Sequence, residues 1–132
     1  MIGFDANVLV RLIVADDKPQ TEKAERFVER HCSAGTPGFI NCVVLAEVAW
    51  VLESVYGFRR DDVARAIEQL LITPEFLLED RACVNAALDG FKKSSTGFTD
   101  LLIGEINRAR GCEATATFDR KTAKIDGFTL VH

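Results

Sequence analysis

The chain has 132 residues, of which 48% are hydrophobic and 27% charged, and these values fit one domain of ordinary size with a packed core. Its formal net charge of −4 argues against a general nucleic-acid coat protein. No apolar run reaches the roughly 18 residues that a membrane span needs, and MIGFDANVLV lacks the basic start of a signal peptide. We therefore expect a cytoplasmic protein with no membrane association, folded as a single domain over residues 1–132.

Hydrophobic patterns predict strands that alternate with helices along the whole chain. Strands are predicted at MIGF, GFIN, FLLED, EATATFD and FTLVH. Helices are predicted at NVLVRLIV, at TEKAERFVERHC, after GFIN, at VARAIEQLLI, at ACVNAALDGFKK and from STGFTD to Gly111. Pro19 disfavours a helical Lys18, so DDKPQ is predicted to separate the first two helices. This alternation is typical of βαβ units, and it predicts an α/β fold with a mostly parallel central sheet flanked by α-helices.

Two aspartates directly follow predicted strands. Asp5 follows MIGF, and Asp119 follows ATATF. In open parallel sheets the ligand site lies beyond the carboxyl ends of the strands, so both residues are candidates for one rim of the sheet. Each could instead cap the helix or turn that follows it, and Asp100 could interact with the dipole of its own helix.

Glu47 is the one polar residue between Val43 and Leu52. A buried carboxylate without a partner is costly, or it takes up a proton. No arginine or lysine occurs between Arg30 and Arg59, so a partner has to come from elsewhere in the fold or from outside the protein. We therefore expect Glu47 to be buried and paired, either with a remote arginine or with a bound cation.

Several carboxylates at one rim would repel each other and raise each other's pKa values. A divalent cation removes that repulsion, and ligation by oxygen atoms alone selects Mg²⁺ or Mn²⁺ over zinc. Carboxylate clusters of this kind hydrolyse phosphodiesters, because the metal lowers the pKa of water and stabilises the attacking and leaving oxygens. Spacing alone leaves open whether Asp5, Glu47, Asp100 and Asp119 meet.

Four motifs resemble those of a PIN domain, and more narrowly those of the VapC-type toxin ribonucleases of toxin–antitoxin modules. They are F-D-A-N-V-L, V-L-A-E-V, F-T-D-L-L-I-G and A-T-F-D-R-K, and in order and spacing they extend over essentially the whole chain. The resemblance implies a metal-dependent endoribonuclease, a hydrolase whose Mg²⁺ or Mn²⁺ is bound by Asp5, Glu47, Asp100 and Asp119. It also implies an RNA substrate, a cognate antitoxin and a homodimer.

The resemblance extends to two further residues and fails at one. Asn7 and Thr117 fall where the family often carries small polar residues that support the site, although each could be an ordinary helix-start or strand residue. Gly97 departs from the family pattern, because many relatives carry an Asp three positions before the residue that matches Asp100. This departure leaves the occupancy of a second metal position open.

The last third of the chain, residues 92–132, carries more basic than acidic side chains. Candidates for contacts to the RNA backbone are Arg108, Arg110, Arg120 and Lys121, although these could equally be solvated surface charges. Two other functional classes stay open. One is a catalytically inactive PIN-like module that only binds RNA or protein, and the other is a phosphotransfer or receiver-type α/β domain.

Overall fold

The structure is a computed structural model that describes residues 1–132. The helices are α1 Ala6–Val14, α2 Lys18–His31, α3 Cys42–Ser54, α4 Arg60–Ile72, α5 Arg81–Lys93 and α6 Phe98–Ala109. The strands are β1 Gly38–Ile40, β2 Phe76–Leu78, β3 Thr115–Thr117 and β4 Phe128–Leu130, and a 3₁₀ turn covers Thr122–Lys124. The alternation of helices with parallel strands confirms the predicted α/β class. No helix has both the length and the apolar character that crossing a membrane requires.

The chain divides into two compact units, Met1–Arg81 and Ala82–His132. In the first unit β1 pairs in parallel with β2, with Gly38 opposite Phe76. The other edge of β1 pairs with the N-terminal segment, since the Phe4 N–H donates to the Phe39 carbonyl at 3.0 Å. The predicted strand at MIGF is therefore present as a short parallel partner of β1. The prediction that residues 1–132 form one domain stays a prediction.

Helices α1 and α2 pack against each other, α1 also packs against α3, and α4 contacts both α3 and β2. Apolar residues three or four positions apart give each helix one stripe that faces the core, as Val63 and Ile67 do in α4. Fully buried side chains of this unit include Leu9, Ile40, Leu45, Val48, Leu52, Val63 and Ile67. Burial of each such side chain contributes about 1.5–3 kcal/mol, so this core holds the helices in place.

The second unit contains α5, α6 and a parallel pair in which Thr115 of β3 lies opposite Phe128 of β4. Its core contains an aromatic pair, Phe91 and Phe98, which pack edge to face with their ring centroids 6.0 Å apart among aliphatic side chains. Helix α6 contacts β3, and Gly104 allows the Phe128 ring to approach α6 closely. A Cβ atom at position 104 would lie only 2.7 Å from that ring, so a larger residue would displace it.

The boundary between the first two helices differs from the prediction. Helix α1 ends at Val14 and is capped by Ala15, whose φ of 55° is left-handed, and α2 begins at Lys18. The Asp17 carboxylate caps α2 by accepting a hydrogen bond from the Gln20 N–H at 3.2 Å. Pro19 lies in the first turn, where its missing N–H leaves no intrahelical hydrogen bond unmade. The predicted break is therefore real but shorter than DDKPQ.

Candidate active site

Asp5 lies directly after the extended N-terminal segment and caps α1. Its Oδ1 accepts a hydrogen bond from the Val8 N–H at 3.2 Å, which orients the carboxylate. The side chain is exposed and forms no ion pair, so its second oxygen is available to a ligand. The predicted capping role is therefore present, and it is compatible with a second role.

Asp5 and Asn7 line the same groove, which has a volume of about 560 Å³ and lies within the first unit. We call it the α1–α2 groove. Its polar and aromatic lining residues are Asp5, Asn7, Arg11, Gln20, Lys23, Phe4 and Phe27. The side chain of Asn7 is exposed, and its role in supporting the site stays a prediction.

Glu47 lies in the middle of α3 with its side chain exposed, so the prediction that it is buried is wrong. One face of α3 is buried through Leu45, Val48 and Leu52, whereas the opposite face carries Glu47 together with apolar residues. On that face Val43 is 77% exposed and Trp50 is 62% exposed. Apart from Glu47, this solvent-facing stripe carries apolar residues, so the amino-acid pattern did not reveal which face of α3 is exposed. Glu47 needs no internal partner and forms no ion pair.

Asp100 lies in the first turn of α6, where its exposed carboxylate benefits from the helix dipole. No hydrogen bond or ion pair engages this side chain. Gly97 caps the helix without a side chain, and a Cβ atom at that position would lie 3.7 Å from Asp100 Oδ2. Position 97 therefore adjoins the Asp100 carboxylate, so a carboxylate at that position could share a ligand with it.

Asp119 is held in a hydrogen-bonded turn that begins at the end of β3. Its Oδ1 accepts hydrogen bonds from the N–H groups of Lys121 at 2.8 Å and Thr122 at 3.2 Å. Its own N–H donates to Thr117 Oγ1 at 3.0 Å. Thr117 therefore positions the backbone of Asp119, and the second carboxylate oxygen of this exposed side chain is available to a ligand.

The structure brings together Asn7 with Asp5, and Thr117 with Asp119. Helix α1, which begins directly after Asp5, packs against α3, which carries Glu47. No group of three His, Cys, Asp or Glu side chains forms a ready-made metal site. The four carboxylates supply oxygen atoms, the ligands that hard divalent cations prefer. They are also exposed and free of competing ion pairs. Their assignment to one site stays a prediction.

The basic candidates for RNA contacts differ in their surroundings. The Arg108 guanidinium donates a hydrogen bond to the Asp126 carbonyl at 3.1 Å and lies 3.8 Å from the Asp126 carboxylate. Arg110, Arg120 and Lys121 are exposed, and their side chains form no ion pair. The Arg108 charge therefore has a partner within the fold, whereas the charges of the other three are available to an anionic partner.

The profile of the PIN domain matches residues 2–128, a range that contains all four motifs. The chain belongs to the PIN-domain family. This PIN domain is also similar to a VapC ribonuclease from Aquifex aeolicus (strain VF5), with 25% identity over 129 residues that cover 98% of the chain and 94% of the relative. No solved structure matches the chain significantly. The predicted family is confirmed, and the receiver-type alternative is set aside.

Proposed function

We propose that this PIN domain is a metal-dependent endoribonuclease that hydrolyses RNA phosphodiester bonds, and that it is the toxin of a type II toxin–antitoxin pair. The observation that carries the proposal is the set of four exposed carboxylates without cationic partners, Asp5, Glu47, Asp100 and Asp119. The similarity to a VapC ribonuclease over 98% of the chain supports the ribonuclease and toxin assignment.

In this proposal the four carboxylates would hold Mg²⁺ or Mn²⁺. A bound divalent cation supplies positive charge to a phosphate oxygen and lowers the pKa of water. The protein's part is to keep the acidic oxygens oriented. Backbone N–H groups hold one oxygen of Asp5 and one of Asp119, so their second oxygens are directed before any ligand arrives. Asn7 and Thr117 support these two positions.

The substrate and partners belong to the same proposal. A chain with net charge −4 repels an RNA strand overall, so the cation and local basic side chains have to supply the attraction. Arg110, Arg120 and Lys121 are the proposed phosphate contacts in the second unit. A cognate antitoxin would hold the enzyme inactive, and we propose a cytoplasmic homodimer as its working form.

The proposal is tested by incubating the purified chain with labelled single-stranded RNA in Mg²⁺, in Mn²⁺ and in EDTA. We expect internal cleavage with either cation and none in EDTA. Asp5→Asn and Asp119→Asn should each reduce the rate by at least about 100-fold, because a Lewis acid contributes several kcal/mol and each 1.36 kcal/mol is about tenfold in rate.

Asp17→Asn is the matched control, since Asp17 caps α2 in the way that Asp5 caps α1. It should retain the full rate. Cleavage that persists in EDTA, or that survives both Asp5→Asn and Asp119→Asn, would contradict a metal-dependent site at these residues.

A second candidate function is a catalytically inactive PIN-like module that binds RNA or protein. Gly97 favours it, because many relatives carry an Asp at that position. Such a module would bind RNA equally well after Asp5→Asn and would cleave no RNA in any cation. The enzyme, in contrast, would lose turnover in the same variant.

A further inference from the structure

We infer that the α1–α2 groove binds one nucleotide of the RNA strand beside Asp5, with the Phe27 ring under the base and the Lys23 ammonium on a phosphate. The inference rests on the proposed ribonuclease function and extends it to a specific substrate-binding site. Neither Lys23 nor Phe27 belongs to the four motifs of the family, and the amino-acid sequence alone assigned neither of them a role in binding.

The groove has the size and composition of a site for a small ligand. Its volume of about 560 Å³ lies within the range of roughly 300–1,000 Å³ that is usual for ligand pockets. Ile2, Val8 and Ala24 supply apolar lining, and polar side chains are interspersed among them. Asp5 is part of the same lining, so a nucleotide in the groove lies next to a proposed catalytic carboxylate.

Phe27 is exposed for 41% of its surface, although its ring is held by two aromatic neighbours. The Phe4 ring packs against it edge to face at 6.2 Å, and the His31 ring lies 4.4 Å away at a tilt of 38°. These contacts fix the orientation of the Phe27 ring and leave part of it uncovered. A fixed and partly uncovered aromatic ring beside a cation is the usual means of binding a base of single-stranded nucleic acid.

Two cationic side chains line the groove, and only one of them has its charge available. The Arg11 guanidinium donates hydrogen bonds to the Asp16 carboxylate at 2.9 Å and to the Tyr56 hydroxyl at 3.2 Å. Its charge is therefore largely balanced within the fold. Lys23 is exposed and forms no ion pair, so its ammonium can neutralise a phosphate.

Lys23 and Phe27 are four residues apart on α2, which places them on the same face of the helix. A single nucleotide can therefore meet both side chains, its base at Phe27 and its phosphate at Lys23. Gln20, one turn before Lys23, lines the same groove with an exposed amide that can donate to and accept from a base edge.

The test measures binding of a short labelled single-stranded RNA to the full chain by fluorescence anisotropy over a range of salt concentrations. Asp100→Asn is the common background, chosen to prevent cleavage during the titration. Onto it are added Phe27→Leu, Lys23→Ala and the control Arg26→Ala, which removes one exposed charge from α2 outside the groove.

Phe27→Leu should weaken binding by about tenfold, as expected for the loss of one base stack, without changing the salt dependence. Lys23→Ala should weaken binding and reduce the slope of log K against log salt by about 0.7, the value for one phosphate contact on a single strand. Arg26→Ala should change neither quantity. Leucine at position 27 keeps an apolar side chain against Phe4, and Lys23→Ala provides an independent measurement at an exposed position.

Removal of single bases from the RNA adds a second measurement. At one position of the RNA, loss of the base should weaken binding to the background protein. The same loss should hardly weaken binding to the Phe27→Leu variant any further, because both changes remove the same contact.

If the unsubstituted chain cleaves RNA while Phe27→Leu and Lys23→Ala bind RNA as Arg26→Ala does, the groove inference is wrong and the ribonuclease proposal stands. If the chain neither cleaves nor binds RNA, the proposed function is wrong and the groove inference is wrong with it.

Discussion

The two strand-end carboxylates and the two helix-borne carboxylates of this PIN domain are held in different ways. Asp5 and Asp119 accept hydrogen bonds from backbone N–H groups that follow them, whereas no hydrogen bond engages Glu47 or Asp100. The first pair therefore contributes to the fold and to the proposed site, while Glu47 contributes nothing that the fold requires. Substitutions in the two pairs can separate metal chemistry from stability.

Among the effects that distinguish the two pairs, the largest is expected for metal binding at Glu47. Trp50 is the only tryptophan, and it lies three residues after Glu47 on the exposed face of α3. Paramagnetic Mn²⁺ held near Glu47 should quench Trp50 fluorescence in a saturable titration. Glu47→Gln should weaken the apparent affinity by at least about tenfold, since even groups that only support a ligand are worth about 10–100-fold.

Glu53→Gln is the matched control for that titration. Glu53 is also exposed on α3 and lies three residues after Trp50, as Glu47 lies three residues before it. The Glu53→Gln variant should bind Mn²⁺ with the same apparent affinity as the unsubstituted chain. Equal titrations for Glu47→Gln and Glu53→Gln would remove Glu47 from the proposed metal site.

A smaller effect is expected for stability, and it should fall on the other pair. Asp5→Ala removes the side-chain cap of α1 and should lower the free energy of unfolding by about 1 kcal/mol in urea denaturation. Glu47→Gln should change the free energy of unfolding by less than about 0.5 kcal/mol, because Glu47 is exposed and its side chain forms no ion pair or hydrogen bond.

Asp17→Ala should cost about as much stability as Asp5→Ala, because each carboxylate accepts one capping hydrogen bond at 3.2 Å from the N–H three residues later. It should retain RNA cleavage. A stability loss in Glu47→Gln equal to that in Asp5→Ala would contradict the distinction between the two pairs.

The smallest effect is expected for Gly97→Asp. An Asp at the start of α6 should add a few tenths of a kcal/mol through capping when no metal is present. Its carboxylate would also adjoin Asp100, so the thermal stabilisation by Mn²⁺ should be larger than in the unsubstituted chain. Gly97→Asn provides the cap without the charge. Equal Mn²⁺ responses in the two variants would show that position 97 does not contribute to metal binding.

The positions of the elements were predictable from the sequence, because each depends on local patterns. Short apolar runs gave the strands, and apolar residues at helical spacing gave the helices. Residues with local hydrogen bonds, such as Asp5 at a helix start, were also predictable. The start of α2 was misplaced, since the capping by Asp17 outweighs the restriction that Pro19 places on Lys18.

The orientation of α3 was not predictable, because periodicity indicates a buried face only when the other face is polar. Val43 and Trp50 are exposed apolar residues of α3, and the exposed Val55 follows its last residue, so α3 looks apolar on all sides. The α1–α2 groove was missed for a related reason. The spacing of Lys23 and Phe27 along the predicted helix was visible, whereas Gln20 fell in the predicted break. Only packing against α1 and the N-terminal segment shows that the three residues line one groove.

The strand pairings of the first unit also affect synthesis of the chain on the ribosome. The N-terminal segment can pair with β1 as soon as residue 39 emerges, whereas β2 follows only at residue 76. The edge of β1 that pairs with β2 therefore stays unpaired while α3 and α4 are translated, and an unpaired strand edge can associate with other chains. In the second unit, β4 begins at residue 128, soon after β3 at residue 115, so the unpaired interval there is short.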